Sequence, residues 1–122
     1  MHIISRDHPC FYLTSVTKDR LPVFHTDEIK KITCAALNEA RKSGGFALYA
    51  YVIMPNHLHV ISDSARDSSD AARFINGIIG GHVLDHLKEH DYQSSLKKLQ
   101  QEIKARRHQY SLWDHHPKMN LC

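Results

Sequence analysis

The chain has 122 residues, with 16 Lys and Arg against 13 Asp and Glu, a formal net charge of +3 and 42% apolar content. That length suits one domain with one core, and the weak basicity permits an anionic partner without demanding one. No apolar run approaches the roughly 20 residues that span a bilayer, and residues 1–7 lack the basic-then-apolar layout of a secretion signal, so a cytoplasmic protein with no membrane association is expected.

The first element is a strand over 11–17, where aromatic and β-branched residues dominate. A polar loop follows, and Thr26 or Asp27 can cap a helix running to about Lys42. Ile29, Ile32, Thr33, Ala36, Leu37 and Ala40 recur at three- and four-residue steps and give that helix one apolar face. Gly44-Gly45 ends it. The run FALYAYVIM, 46–54, is apolar nearly throughout, which predicts a strand central in its sheet. Pro55-Asn56 turns the chain into a third strand over 57–62, pairing with the second as an antiparallel hairpin. Ser68 or Ser69 can cap a second helix reaching about His90, although Gly77, Gly80 and Gly81 lie inside it. A third helix is predicted over 94–107 and a short fourth strand over 110–113, with no pattern assigned to 114–122. This order predicts an α+β fold, a mainly antiparallel sheet with helices packed on one face, in a single domain over 1–122. The three cysteines form no CxxC pair, so reduced and mostly buried thiols are expected rather than a disulfide framework.

His57 and His59 stand one residue apart in VIMPNHLHV. On a strand, residues i and i+2 share a face, so both imidazoles project together and can share one divalent ion. The spacing is weak by itself: 11 histidines in 122 residues give roughly one such pair by chance. The alternative is a pair of strand histidines hydrogen-bonded to a neighbouring element. A histidine-triad hydrolase would need a third alternating histidine, and the next position is Ile61.

The longer string AYVIMPNHLHVI resembles the signature of the HUH single-strand DNA transposases, and within them the REP-associated tyrosine transposases. FYLTSVTKDRLPVF, ALNEARKSGGF and YSLWDHH extend the resemblance over about 9–116. It implies a ferredoxin-like transposase domain in which His57 and His59 hold Mg²⁺ or Mn²⁺. That ion would polarise the scissile phosphate of single-stranded or hairpin DNA. A tyrosine would then attack phosphorus, giving a 5′-phosphotyrosine and a free 3′-OH. The resemblance also implies a homodimer.

The family tyrosine lies on a helix after the Trp-containing strand, and no such segment is found here. A C-terminally truncated domain is therefore expected, either of doubtful activity or acting as a non-catalytic hairpin-binding module. Of the five tyrosines, Tyr110 is nearest to the absent helix and is the substitute candidate; Tyr12, Tyr49 and Tyr51 are expected to pack in the sheet, and Tyr92 to lie on the surface. Lys18 and Arg20, with Lys97, Lys98, Lys104, Arg106 and Arg107, are candidate phosphate contacts, or else a solvated face. His82, His86 and His90 share a helical face, read as solvated because no HExxH carboxylate accompanies them.

Overall fold

A computed structural model of the chain describes residues 10–63, 68–100, 111–114 and 118–121. Its elements are β1 (Cys10–Val16), a 3-10 turn (Lys18–Arg20), α1 (Asp27–Gly44), β2 (Leu48–Met54), β3 (His57–Asp63), α2 (Ser68–Glu89), α3 (Gln93–Lys98) and β4 (Lys118–Leu121). The four strands form one sheet in the order β2-β3-β1-β4, antiparallel at every pairing. This is the split βαβ arrangement of a ferredoxin-like fold. Strands adjacent in space come from distant sequence, and only β2 and β3 are joined by a tight hairpin.

The alternation of β3 explains how it serves two faces. Leu58, Val60 and Ser62 are buried, whereas His57, His59 and Ile61 are half-buried on the other side. On β1, Leu13 and Ser15 face the same core. Leu13, Leu58 and Val60 pack with Ala36, Leu37 and Ala40 of α1 and with Ile75, Ile79 and Val83 of α2 in one cluster. Burial of this apolar area is the main stabilising term. Ser15 adds a polar tie, its hydroxyl donating to Asn76 Oδ1 of α2 at 2.8 Å.

α1 begins where expected: Thr26 Oγ1 accepts from the Ile29 N–H at 3.3 Å. It ends on Gly45, which sits at φ 67°, the left-handed region that favours glycine. Gly44 remains inside the helix, where a Cβ would come within 2.6 Å of the Phe46 ring.

Four expectations are overturned. The second strand is not central: β2 is an edge strand, and Tyr49, Tyr51, Val52 and Met54 are 40–53% exposed. An apolar run reports which side chains avoid water, not whether this chain itself covers them. The third helix stops at Lys98, where the Leu99 carbonyl accepts from Ser111 N–H at 2.9 Å instead of continuing a helical ladder; residues 101–107 of that predicted helix lie outside the described residues. Residues 111–113 make only an isolated bridge, Thr17 to Trp113, and the fourth strand is β4, in the tail that showed no pattern. Its short Lys-Met-Asn-Leu run becomes a strand because β1 offers it a free edge, pairing Phe11 with Leu121 and Thr14 with Lys118. Lastly, Cys10 is disulfide-bonded while Cys34 is free. An odd cysteine count does not forbid a single bridge.

Candidate functional site

The approach to His57 is held from behind. Thr17 N–H donates to the Asn56 carbonyl at 3.0 Å and Phe24 N–H to the Pro55 carbonyl at 3.0 Å. The Thr17 hydroxyl, fully buried, reaches the Asn56 carbonyl at 3.0 Å and the Leu21 carbonyl at 2.7 Å. These contacts fix a two-residue hairpin turn that proline alone would leave underdetermined, and they set the direction in which β3 leaves it.

His57 and His59 then project from the outer face, their ring centroids 4.8 Å apart and nearly perpendicular. His57 Nδ1 donates to Asn56 Oδ1 at 2.8 Å, which leaves Nε2 with the lone pair. Burial holds the His57 imidazole below its ordinary pKa, and the neighbouring His59 and Arg20 push in the same direction. His57 is thus biased to the neutral form a metal requires. His59 Nδ1 lies 2.8 Å from the Tyr12 hydroxyl and 3.2 Å from Thr14 Oγ1. When that nitrogen donates to either oxygen, Nε2 is the free ligand here too. Two imidazoles with anchored Nδ1 atoms form a donor set suited to a divalent ion: Asn56 Oδ1 fixes the tautomer of His57, and Tyr12 and Thr14 fix the aim of His59.

Tyr12, Thr14 and Asn56 were not among the candidate site residues read from the sequence. Asn56 precedes the motif directly; Tyr12 and Thr14 reach it only because β1 pairs with β3, Thr14 opposite His59. Tyr12→Phe deletes one anchor and leaves Thr14. We expect about a tenfold loss of Mn²⁺ affinity by titration calorimetry, with the urea midpoint within experimental error of wild type.

The other candidates are distributed unevenly. Arg20, at φ 55°, is close enough to His57 to act on its charge. The Lys18 ammonium is turned onto the Gln100 carbonyl at 2.8 Å and the Lys98 carbonyl at 3.3 Å. Lys97 and Lys98 are exposed at the end of α3. Lys104, Arg106, Arg107 and Tyr110 lie outside the described residues. Among the described tyrosines, Tyr12 approaches the pair from the Nδ1 side of His59. Tyr51 donates to Cys34 Sγ at 3.5 Å, and that contact holds its phenol above the usual pKa. Tyr92 stands beside His90. The helical histidines do not form a uniformly solvated face: His82 and His90 are exposed, His82 pairing with Glu39, whereas His86 is buried. Among the described residues, no helix is long and apolar enough to cross a membrane.

A family model described as IS200-like transposase matches residues 10–116. No curated protein matches. Among solved structures, the chain is similar to a protein assigned as a transposase from Deinococcus radiodurans R1, with a TM-score of 0.72 and 16% identity over 98% of this chain and 83% of that one. It is also similar to the REP-associated tyrosine transposase bound to a REP hairpin, with a TM-score of 0.57 and 13% identity. That second likeness covers all of this chain but 60% of the other.

Proposed function

The chain belongs to the IS200-like transposases, and from that premise we propose that it binds hairpin-bearing single-stranded DNA across the outer face of its sheet. His57 and His59 would hold Mg²⁺ or Mn²⁺ there through their Nε2 atoms. The observation that carries this reading is the anchoring of both Nδ1 atoms, by Asn56 and by Tyr12 with Thr14. A bound ion would supply charge neutralisation and polarisation at a scissile phosphate. The chain's own contribution is to bias His57 to its neutral form and to aim both imidazoles together, with Arg20 beside them as a phosphate contact. The exposed Lys97 and Lys98 would add sequence-independent attraction for the DNA backbone, together with Arg106 and Arg107. The hairpin seen on the REP-associated relative supports the choice of DNA form.

Strand cleavage and joining need a nucleophile at the free side of the histidine pair. Tyr12 meets His59 on its Nδ1 side, Tyr51 is engaged by Cys34 and Tyr92 stands beside His90, which favours a second reading: a module that recognises hairpin DNA without cutting it. Tyr110 stays the candidate for the catalytic alternative. Edge strand β2, with Tyr49, Tyr51, Val52 and Met54 exposed, is the surface we assign to a second copy in a homodimer, because an open, apolar strand edge invites pairing.

The test is the protein with Mn²⁺ and a labelled pool of hairpin-bearing single-stranded DNA, on denaturing and native gels. A covalent protein–DNA band that disappears in Tyr110→Phe supports the catalytic form. A native shift without a covalent band supports the binding module. The absence of both would overturn the proposal.

A further inference from the structure

A second group of ligand-grade side chains meets in the helical layer, where the start of α1 approaches the end of α2. Glu28 enters from the first turn of α1; His86 and His90 lie one turn apart at the end of α2. One ligand atom from each of the three lies within 4.8 Å of the others. His86 is 8% exposed, and its Nε2 is buried without a hydrogen bond. Glu28 Oε1 is 3.3 Å from that nitrogen, near enough for charge attraction but without hydrogen-bond geometry. A buried ring nitrogen left in that state calls for a partner, and a lone pair beside a carboxylate oxygen is what a cation would bridge.

The backbone prepares the other histidine. His90 Nδ1 donates to the His86 carbonyl at 3.0 Å, so its Nε2 carries the lone pair. Helix α2 closes with Tyr92 N–H on the Leu87 carbonyl at 3.0 Å and Asp91 N–H on the Lys88 carbonyl at 3.2 Å, around Asp91 at φ 56°. This closing motif holds His90 beside His86, their ring centroids 4.2 Å apart. The third histidine of the series, His82, is engaged by Glu39 instead. A cavity of about 320 Å³ opens against Glu28 and His86 and is bounded also by Tyr92, Ser95 and Lys98, leaving room for water to complete a coordination shell.

We propose that Glu28, His86 and His90 form a second divalent-metal site, of the zinc or cobalt type, which clamps the start of α1 to the end of α2. Two imidazole nitrogens and one carboxylate oxygen favour those ions over magnesium. Metal–ligand bonds of about 2.0–2.2 Å put tetrahedral ligand atoms about 3.4 Å apart, a separation Glu28 and His86 already have. His90, exposed at the helix end, closes the remaining gap by a small side-chain movement. The site lies in the layer that packs against the sheet face opposite to His57 and His59, so it does not rest on the functional reading above.

The experiment titrates Co²⁺ into full-length chain carrying His57→Ala and His59→Ala, following visible ligand-field bands and thermal midpoint. The expected result is one equivalent bound, with tetrahedral or five-coordinate bands and a raised midpoint. In that background Glu28→Gln and His90→Ala change exposed residues. Each should weaken Co²⁺ binding by about 100-fold or more and leave the metal-free midpoint unchanged. His82→Ala should bind as the parent does. No stoichiometric Co²⁺ uptake by the parent, or unchanged uptake by both Glu28→Gln and His90→Ala, would overturn the proposal.

Discussion

Replacing His57 and His59 together with alanine should abolish Mn²⁺ binding at the sheet face, a loss of about 100-fold or more in affinity, because both of the proposed ligands disappear at once. Calorimetry in a His90→Ala background isolates this pair from the helical cluster. The same double variant should retain its cooperative urea transition. Both imidazoles are half-buried on the outer face, and neither belongs to the packed cluster beneath the sheet. Their removal deletes hydrogen bonds to Asn56, Tyr12 and Thr14, groups near enough to the surface to be resolvated, so the stability cost should stay near the ordinary 1 kcal/mol or so of a surface-accessible hydrogen bond. Mn²⁺ affinity equal to that of the histidine-containing protein would sink the assignment of this pair.

Leu58 lies between the two histidines in sequence and on the opposite face in space, and its replacement should have the contrary effect. It is fully buried in the main core. Leu58→Ala removes buried methyl groups and leaves a cavity that the β3 backbone, paired on both sides, cannot collapse to fill. The expected cost is about 2–5 kcal/mol, a large part of the roughly 5–15 kcal/mol that holds a domain of this kind together. Urea unfolding would show it as a lowered midpoint at nearly constant slope. A cost under about 1 kcal/mol would mean that β3 is turned the other way, with the histidines inward. The two variants, at adjacent positions, therefore test one geometric claim from both sides.

That claim was legible beforehand because a strand has a fixed period of two. HLHV, flanked by a Pro-Asn turn, specifies a hairpin and places both histidines on one face whatever the rest of the chain does. Helix α1 was equally readable: its apolar positions, its Thr26 cap and its terminal glycine are local signals and agree with one another. Periodicity was less informative elsewhere. FALYAYVIM reads as a buried central strand because apolarity does not say which neighbour covers it, and β2 proves to be an edge. The fourth strand escaped notice because four residues carry too little pattern, and β4 exists through its pairing with β1.

The histidine pair, the antiparallel hairpin and the apolar face of α1 were determined by the sequence itself, since each depends on residues within a few positions of one another. The Tyr12 and Thr14 anchors of His59, 47 and 45 residues away, and the approach of Glu28 to His86 were decided only by tertiary structure. No local rule relates residues that far apart. They meet because the sheet order brings β1 alongside β3, and because burying the apolar faces of α1 and α2 sets the helices side by side.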